Sequence, residues 1–203
     1  IVEETPWVGG MLTAAGVSCV DGNYNLRSGI FGEFADSLAV RYGGWEALKS
    51  GWVSNINFDP HVGQEILTNM AEACGDLLQV RRETEALSVK KSDDGTWMVR
   101  LKGKEGRAYT VCADVLIDGT ELGDVAKECG VEYRKGMDSS DSTGESIAPD
   151  EANDVIQDLT YVAFLKDYGP DADMTIEKPE GYDPSLFADS CINPLSDGVA
   201  ETG

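Results

Sequence analysis

Histidine occurs only once in the 203 residues, as His61. A Ser-His-Asp set or a histidine-based metal triad would have to pass through that one side chain. It directly follows Pro60 and reads as a structural residue near a helix start. Cysteine is too scattered to form a scaffold. Cys19, Cys74, Cys112, Cys129 and Cys191 are odd in number and include no CxxC pair. That pattern argues against a disulfide framework and against a zinc site built from thiolates. Positive charge is scarce as well: 16 basic residues face 37 acidic ones, for a formal net charge of −21. A field of that sign repels nucleic-acid phosphates and anionic membrane surfaces, so neither is an expected partner. Its plainest effect is solubility. No uninterrupted apolar run approaches the ~20 residues of a spanning helix. The first residues also lack the basic stretch and apolar core of a secretion signal. A cytoplasmic location is expected, any signal lying upstream of Ile1. Oligomeric state is not legible.

What is present alternates between helix and strand. Ile1-Val2-Glu3-Glu4 reads as the tail of a strand running into Thr5-Pro6, followed by a glycine-rich loop from Gly9 to Gly16. Residues 29–51 carry apolar positions at mixed helical spacing, broken by Gly43-Gly44, and predict two short helices. Asp59 to Cys74 is the clearest helix. Asp59 is its cap, Pro60 its first residue, and Gly75 its stop, with Val62, Ile66, Met70 and Ala73 on one face. Strand character dominates from Leu77 to Val80 and from Glu85 to Lys90. After an Asp-Gly turn, Trp97, Val99 and Leu101 alternate on a return strand. Tyr109 and Val111 lead into an apolar strand, Val115-Leu116-Ile117, that stops at Asp118-Gly119-Thr120. Residues 137–154 are rich in Asp, Ser, Glu and Gly and predict an exposed loop or lid. Strand character returns over 155–168.

Three separated segments suit one chemical task, holding a dinucleotide along the carboxyl ends of parallel strands. The first is the acid ending the opening strand, Glu3 or Glu4, placed to accept hydrogen bonds from ribose hydroxyls. The second is Gly9-Gly10-Met11-Leu12-Thr13, whose paired glycines let main-chain N–H groups point into a site. The third is Val115 to Ala126, where a buried strand breaks at Asp118-Gly119-Thr120 and a helix begins near Gly123-Asp124. Its first N–H groups and dipole are then expected to meet an anion.

In this order, the segments resemble the FAD-dependent oxidoreductases of the glutathione-reductase-like superfamily. The similarity is strongest to a bacterial branch reading "VEE…W-x-GG-x-L-T-x-x-G" early and "D-A-T-G-x-G-D-x-A" later. It takes in Phe58-Asp59-Pro60-His61-Val62, the Val80 strand, Cys129-Gly130-Val131-Glu132-Tyr133 and Gln157-Asp158-Leu159-Thr160-Tyr161. It extends less closely to Gly181-Tyr182-Asp183-Pro184. The resemblance implies an α/β fold: an incomplete Rossmann-like FAD-binding domain over 1–136 with an inserted antiparallel β-meander at about 77–112, then the start of a substrate or cap region over 137–203. It implies FAD as cofactor and these roles. Glu3 would bind the adenosine ribose, with Glu4 as the one-residue alternative. Gly9, Gly10, Met11 and Thr13 would line the ribityl and pyrophosphate path, and Val80 would offer its backbone to the adenine edge. Asp118, Gly119 and Thr120 would stand beside ribose and pyrophosphate, and Gly123 and Asp124 would open the following helix. Glu121 departs from the family's glycine and is expected to point outward. The family's strand–GxGxxG–helix unit would lie upstream of Ile1, and its carboxyl-terminal flavin-contacting segment is not represented. For the 203 residues alone, negligible FAD affinity is therefore expected.

The leading functional expectation is transfer of a hydride from a small-molecule substrate to flavin. The cofactor carries that step while protein groups orient and polarise. His61, Arg27, Glu33 and Tyr161 are conceivable substrate-side groups, each read as structural, and no catalytic residue is assigned. Two alternatives are a carbohydrate-associated enzyme of lyase type and a partial product that binds nothing. Lyase action would need a base and a charge neutraliser beside a sugar carboxylate.

Overall fold

Gly43 and Gly44 divide the first helical region as their position predicts. In the computed structural model, which describes residues 1–21, 25–51, 54–164, 166 and 168–187, helix α1 (Gly29–Tyr42) ends where Gly43 turns left-handed at φ 79°. The Gly43 N–H closes the helix on the Ala39 and Val40 carbonyls. The second expected helix is one 3-10 turn, Trp45–Leu48, that delivers Leu48 into the interior. Along α1, Phe34, Ala35, Leu38 and Ala39 recur three to four apart and are buried. They form one side of the larger core.

Helix α2 (Pro60–Glu72) forms the other side. The Asp59 carboxylate caps it by accepting from the His61 N–H at 2.8 Å, and Pro60 occupies the first turn, where a missing N–H costs nothing. Ile66 is buried, and Val62 and Met70 pack against the same core. Ala73 does not join that face: it is exposed and caps the helix in right-handed geometry. Gly75 instead opens a 3-10 turn, Gly75–Leu77. Phe58 links the two helices, its ring meeting Phe34 edge-on at 5.4 Å and 82°. Gly63 is the concession that lets it in, since a Cβ there would sit 2.6 Å from Phe58 Cε2.

The apolar run Leu77–Val80 does not form a strand from its start. Leu77 belongs to the 3-10 turn and is 95% exposed. Pairing begins two residues later. The Ile1 nitrogen donates to the Gln79 carbonyl at 2.8 Å, the Arg81 N–H to the Ile1 carbonyl at 2.9 Å, and the Glu3 N–H to the Arg81 carbonyl at 2.9 Å. These bonds make a single parallel bridge, Val2 to Arg81. Beyond it the chain turns through Glu83 at φ 50°, and Lys104 pairs with the Glu83 carboxylate at 2.7 Å.

Strands β1 (Glu85–Lys91), β2 (Trp97–Lys102) and β3 (Ala108–Ala113) then form the expected antiparallel meander in the order β1-β2-β3. The register slips by one at Leu87, a bulge between Ala86 and Ser88. Val89, Val99 and Leu101 are the buried centre of a second core, closed by Leu116, Val125 and Cys129. The last two come from helix α3 (Asp124–Glu128) and its cap.

Two expected strands are absent. Val115-Leu116-Ile117 pairs with no strand among the described residues; Leu116 packs inward while Val115 and Ile117 are 73% and 85% exposed. An apolar run makes a strand only where a neighbour supplies its hydrogen bonds. For the same reason the described residues from Val155 onward form no strand, with Leu159 and Tyr161 about nine-tenths exposed, at 88% and 92%. Residues 137–154 are largely exposed, as expected, and Met137 pairs with Asn153 at their ends around the short helix α4 (Ser140–Thr143). The architecture is thus mixed helix and sheet. Its extended sheet is antiparallel, and its only parallel pairing among the described residues is the Val2 bridge. Ile1–Phe164 form one compact unit and residues 165–203 a second. In the second, Asp183 accepts from the Ser185 N–H at the start of a 3-10 turn, Pro184–Phe187. Cys191 lies outside the described residues.

Leu38 is fully buried whereas Val40, two residues along, is 84% exposed. Leu38→Ala is expected to lower unfolding free energy by about 2–5 kcal/mol, and Val40→Ala by less than about 0.5 kcal/mol. Urea denaturation of both variants measures the difference.

Candidate functional site

The acidic residue at the first site position is Glu3. It is half-buried, and its Oε1 accepts from the Thr5 N–H at 2.8 Å, which fixes the carboxylate at the end of the bridged segment. Glu4 is exposed and has no such anchor among the described residues. Val80 lies on the neighbouring segment. Gln79 and Arg81 turn their backbone groups toward Ile1–Glu3. Alternation along an extended chain therefore points the Val80 N–H and carbonyl to the other side. Val80 also lines an open depression of about 350 Å³ with Thr68, Ala71, Glu72, Leu78 and Arg82. There the Arg82 guanidinium donates to Thr68 Oγ1 at 2.9 Å. The structure thus lays the segments that carry Glu3 and Val80 side by side.

The glycine pair forms a 3-10 turn, Gly10–Leu12, entered through Gly9 at φ 115°. The loop is clamped onto α2. A Cβ at Gly9 would fall 2.6 Å from Leu67 Cδ1, and the Trp7 ring meets the His61 ring edge-on at 4.6 Å. Thr13 is 1% exposed, and its hydroxyl donates to the Val8 carbonyl at 2.8 Å, so that side chain shapes the loop from inside. Gly10 and Met11 are exposed, and nothing lies within 4 Å of where a Gly10 Cβ would stand.

The third group is a closed hydrogen-bond box. Asp118 Oδ1 accepts from the Thr120 N–H at 2.8 Å and from Thr120 Oγ1 at 2.7 Å. Asp118 Oδ2 accepts from the Ala126 N–H at 2.7 Å, and Thr120 Oγ1 accepts from the Asp124 N–H at 2.8 Å. Gly123 enters α3 left-handed at φ 73°. Two of the first helical donors, expected to meet an external anion, are therefore satisfied by the chain's own side chains. The Thr120 hydroxyl and the Thr120 and Ala126 N–H groups hold the Asp118 carboxyl below its ordinary value, because each bond favours the charged form. Glu121 is exposed, as expected. Sequence reasoning missed the cap, although an Asp two residues before a Thr is a recognisable Asx-turn signal.

The segments of Glu3 and Val80 adjoin each other, and the Gly9–Thr13 loop lies on α2. The Asp118–Asp124 box sits on the sheet side through Leu116, Val125 and Cys129. No hydrogen bond, ion pair or ring contact among the described residues joins it to the other two groups. A sequence model of the FAD dependent oxidoreductase family matches residues 1–199. The chain belongs to that family. No curated protein and no solved structure matches the chain. FAD is the family's cofactor and redox chemistry its general activity.

The flavoprotein's residues fit FAD unevenly. The anchored Glu3 carboxylate and the outward Val80 backbone suit an adenosine half. The open backbone at Gly10 and Gly119, where no atom would meet a Cβ within 4 Å, suits close approach by a chain of hydroxyls. The α3 amides at Asp124 and Ala126 do not suit an anion, being already bonded. Among the groups considered as substrate-side, Arg27 pairs with Asp36 at 2.7 Å and lies over the Trp45 ring, a structural use. His61 likewise serves the α2 cap: its ring Nδ1 lies 3.1 Å from Asp59 Oδ1. Glu33 and Tyr161 are exposed.

Because the folded Asp118 pKa lies below its ordinary value of 3.8, the stabilisation it provides is present above that value and lost as pH falls through the folded pKa. Amide exchange by NMR should show Thr120 and Ala126 losing protection on acidification through this window. In Asp118→Asn both amides should exchange faster at neutral pH, and the acid-dependent loss should shrink.

Proposed function

We propose that the chain supplies the adenosine and ribityl side of an FAD site in an enzyme that takes a hydride from a small-molecule substrate. The observation that supports this reading is the parallel Val2–Arg81 bridge, which lays the segment ending in the anchored Glu3 carboxylate alongside the segment that carries the outward-facing Val80 backbone. A Rossmann-like layer would place an acid and a neighbouring strand in this relation. Glu3 would accept from ribose hydroxyls, and Val80 would meet the adenine edge. Gly9, Gly10 and Met11 would flank the ribityl and pyrophosphate path, with Thr13 fixing the loop's shape from within. Gly119 would offer open backbone, while Asp118, Thr120, Gly123 and Asp124 would hold that turn rigid through their mutual bonds. FAD, when bound, supplies the two-electron acceptor. A substrate-side region would begin near residue 137, outside the 1–136 cofactor region.

The test is uptake of added FAD, read from the visible flavin bands. It compares the 203-residue chain with the same chain extended at its amino end by a strand–GxGxxG–helix unit. The extended protein should be yellow, and Glu3→Gln in it should weaken FAD binding roughly tenfold, the loss of one charge-assisted hydrogen bond. An extended protein that stays colourless with excess FAD overturns the reading. Tight FAD binding by the 203 residues alone would overturn the expectation that they lack a sufficient phosphate site.

A further inference from the structure

Positive charge in this chain is concentrated in one place. Eight of the 16 basic residues fall between Arg81 and Arg107 with five acidic ones, a local net of +3 that leaves −24 for the rest. The meander's register sorts these side chains by face. The rows Ala86–Leu101–Tyr109 and Val89–Val99–Val111 turn inward onto Leu116, Val125 and Cys129. The alternate rows Glu85–Lys102–Ala108, Ser88–Arg100–Thr110 and Lys90–Met98–Cys112 make the outer face, on which Lys90, Arg100 and Lys102 are exposed. Lys102 has Glu85 at 3.8 Å. Lys90 and Arg100 enter no ion pair among the described residues. Two exposed cations on adjacent cross-strand rows are thus open to a partner's carboxylates.

The chain also contains the matching surface. Residues 138–154 carry six acidic side chains and no basic one. Among them only Asp138 has a cation partner among the described residues, Arg134 at 2.9 Å, and Asp141, Glu145, Asp150, Glu151 and Asp154 are exposed. We propose that the outer face of the meander docks the 138–154 segment of a second copy of this chain. Each copy then presents one basic face and one acidic segment, so the contact is head-to-tail and closes into a ring or extends according to the rotation between copies. The −21 charge on each copy opposes the encounter at long range. Near physiological salt that repulsion is screened beyond about 8 Å, whereas ion pairs in direct contact are screened less. Complementary patches of this kind give specificity and steering more than raw affinity, so the association is weak.

Sedimentation equilibrium of the 203-residue chain tests this at about 0.15 M and about 1 M salt. Concentration-dependent association is expected at the lower salt, with a dissociation constant roughly tenfold higher at the upper one. Lys90→Glu with Arg100→Glu should abolish association, and so should Asp150→Lys with Glu151→Lys. Mixing those two proteins should restore a mixed complex, since each reversed surface now meets its complement. Lys90→Gln with Arg100→Gln, which only removes charge, should weaken association without abolishing the fold, as circular dichroism verifies. A wild-type chain that stays monomeric at the lower salt overturns the proposal, whatever other acidic surface the face then binds. Association that survives the face reversal in a natively folded variant, or reversed partners that fail to recombine, overturns it equally.

Discussion

Phe58 reaches its place because residue 63 of the helix beside it has no side chain. Its ring lies against the backbone of α2, its edge meets Phe34 on α1, and the Thr13 methyl would stand 3.5 Å from a Cβ on the same Gly63. Interior packing at this density tolerates little added volume. One missing methyl therefore couples the two-helix core to the inner wall of the amino-terminal glycine loop. The loop's other contacts, Trp7 on His61 and Gly9 on Leu67, run along the same helix. The exposed turn at Gly10 and Met11 is held both by α2 and by hydrogen bonds of its own, among them Ala15 N–H to the Gly10 carbonyl and Val17 N–H to the Met11 carbonyl.

Where local chemistry decides the outcome, the chain was readable. The Asp59-Pro60 start of α2, the Gly43-Gly44 break and the Asp-Gly hairpin all follow from backbone rules that need no distant partner. The failures share a cause. Leu77 to Val80, Val115 to Ile117 and the residues after Val155 are apolar enough for strands, but strand formation depends on who lies alongside. Apolar periodicity cannot report that. Glu3 and Val80 were named from the family resemblance, while the pairing of their two segments came only with the bridge at Val2. Asp118 and Thr120 were recognised as a pair, but whether they face a ligand or each other was not in the pattern.

That distinction changes how the third motif is understood. A carboxylate bonded to two N–H groups and a hydroxyl of its own chain is already committed, and its lowered pKa extends the charged form to more acid pH. Such a group rigidifies the turn around Gly119, which is how a functional position is commonly held to tolerance. The motif thus combines two kinds of residue, Gly119 with open backbone and Asp118 and Thr120 that hold the turn around it still.

The Val2–Arg81 bridge also orders events in time. Its partners stand 79 positions apart in the sequence, with α1 and α2 between them. Closing so long a loop costs entropy before any contact repays it, which slows structures built on distant pairings. During synthesis the amino-terminal segment must leave the ribosome and wait until residue 81 has been added and has emerged, while both helices already have everything they need to pair. The carboxylate of Glu3 is thus fixed only after those two helices can already pair, so a segment made earlier than either helix finds its neighbour later than both.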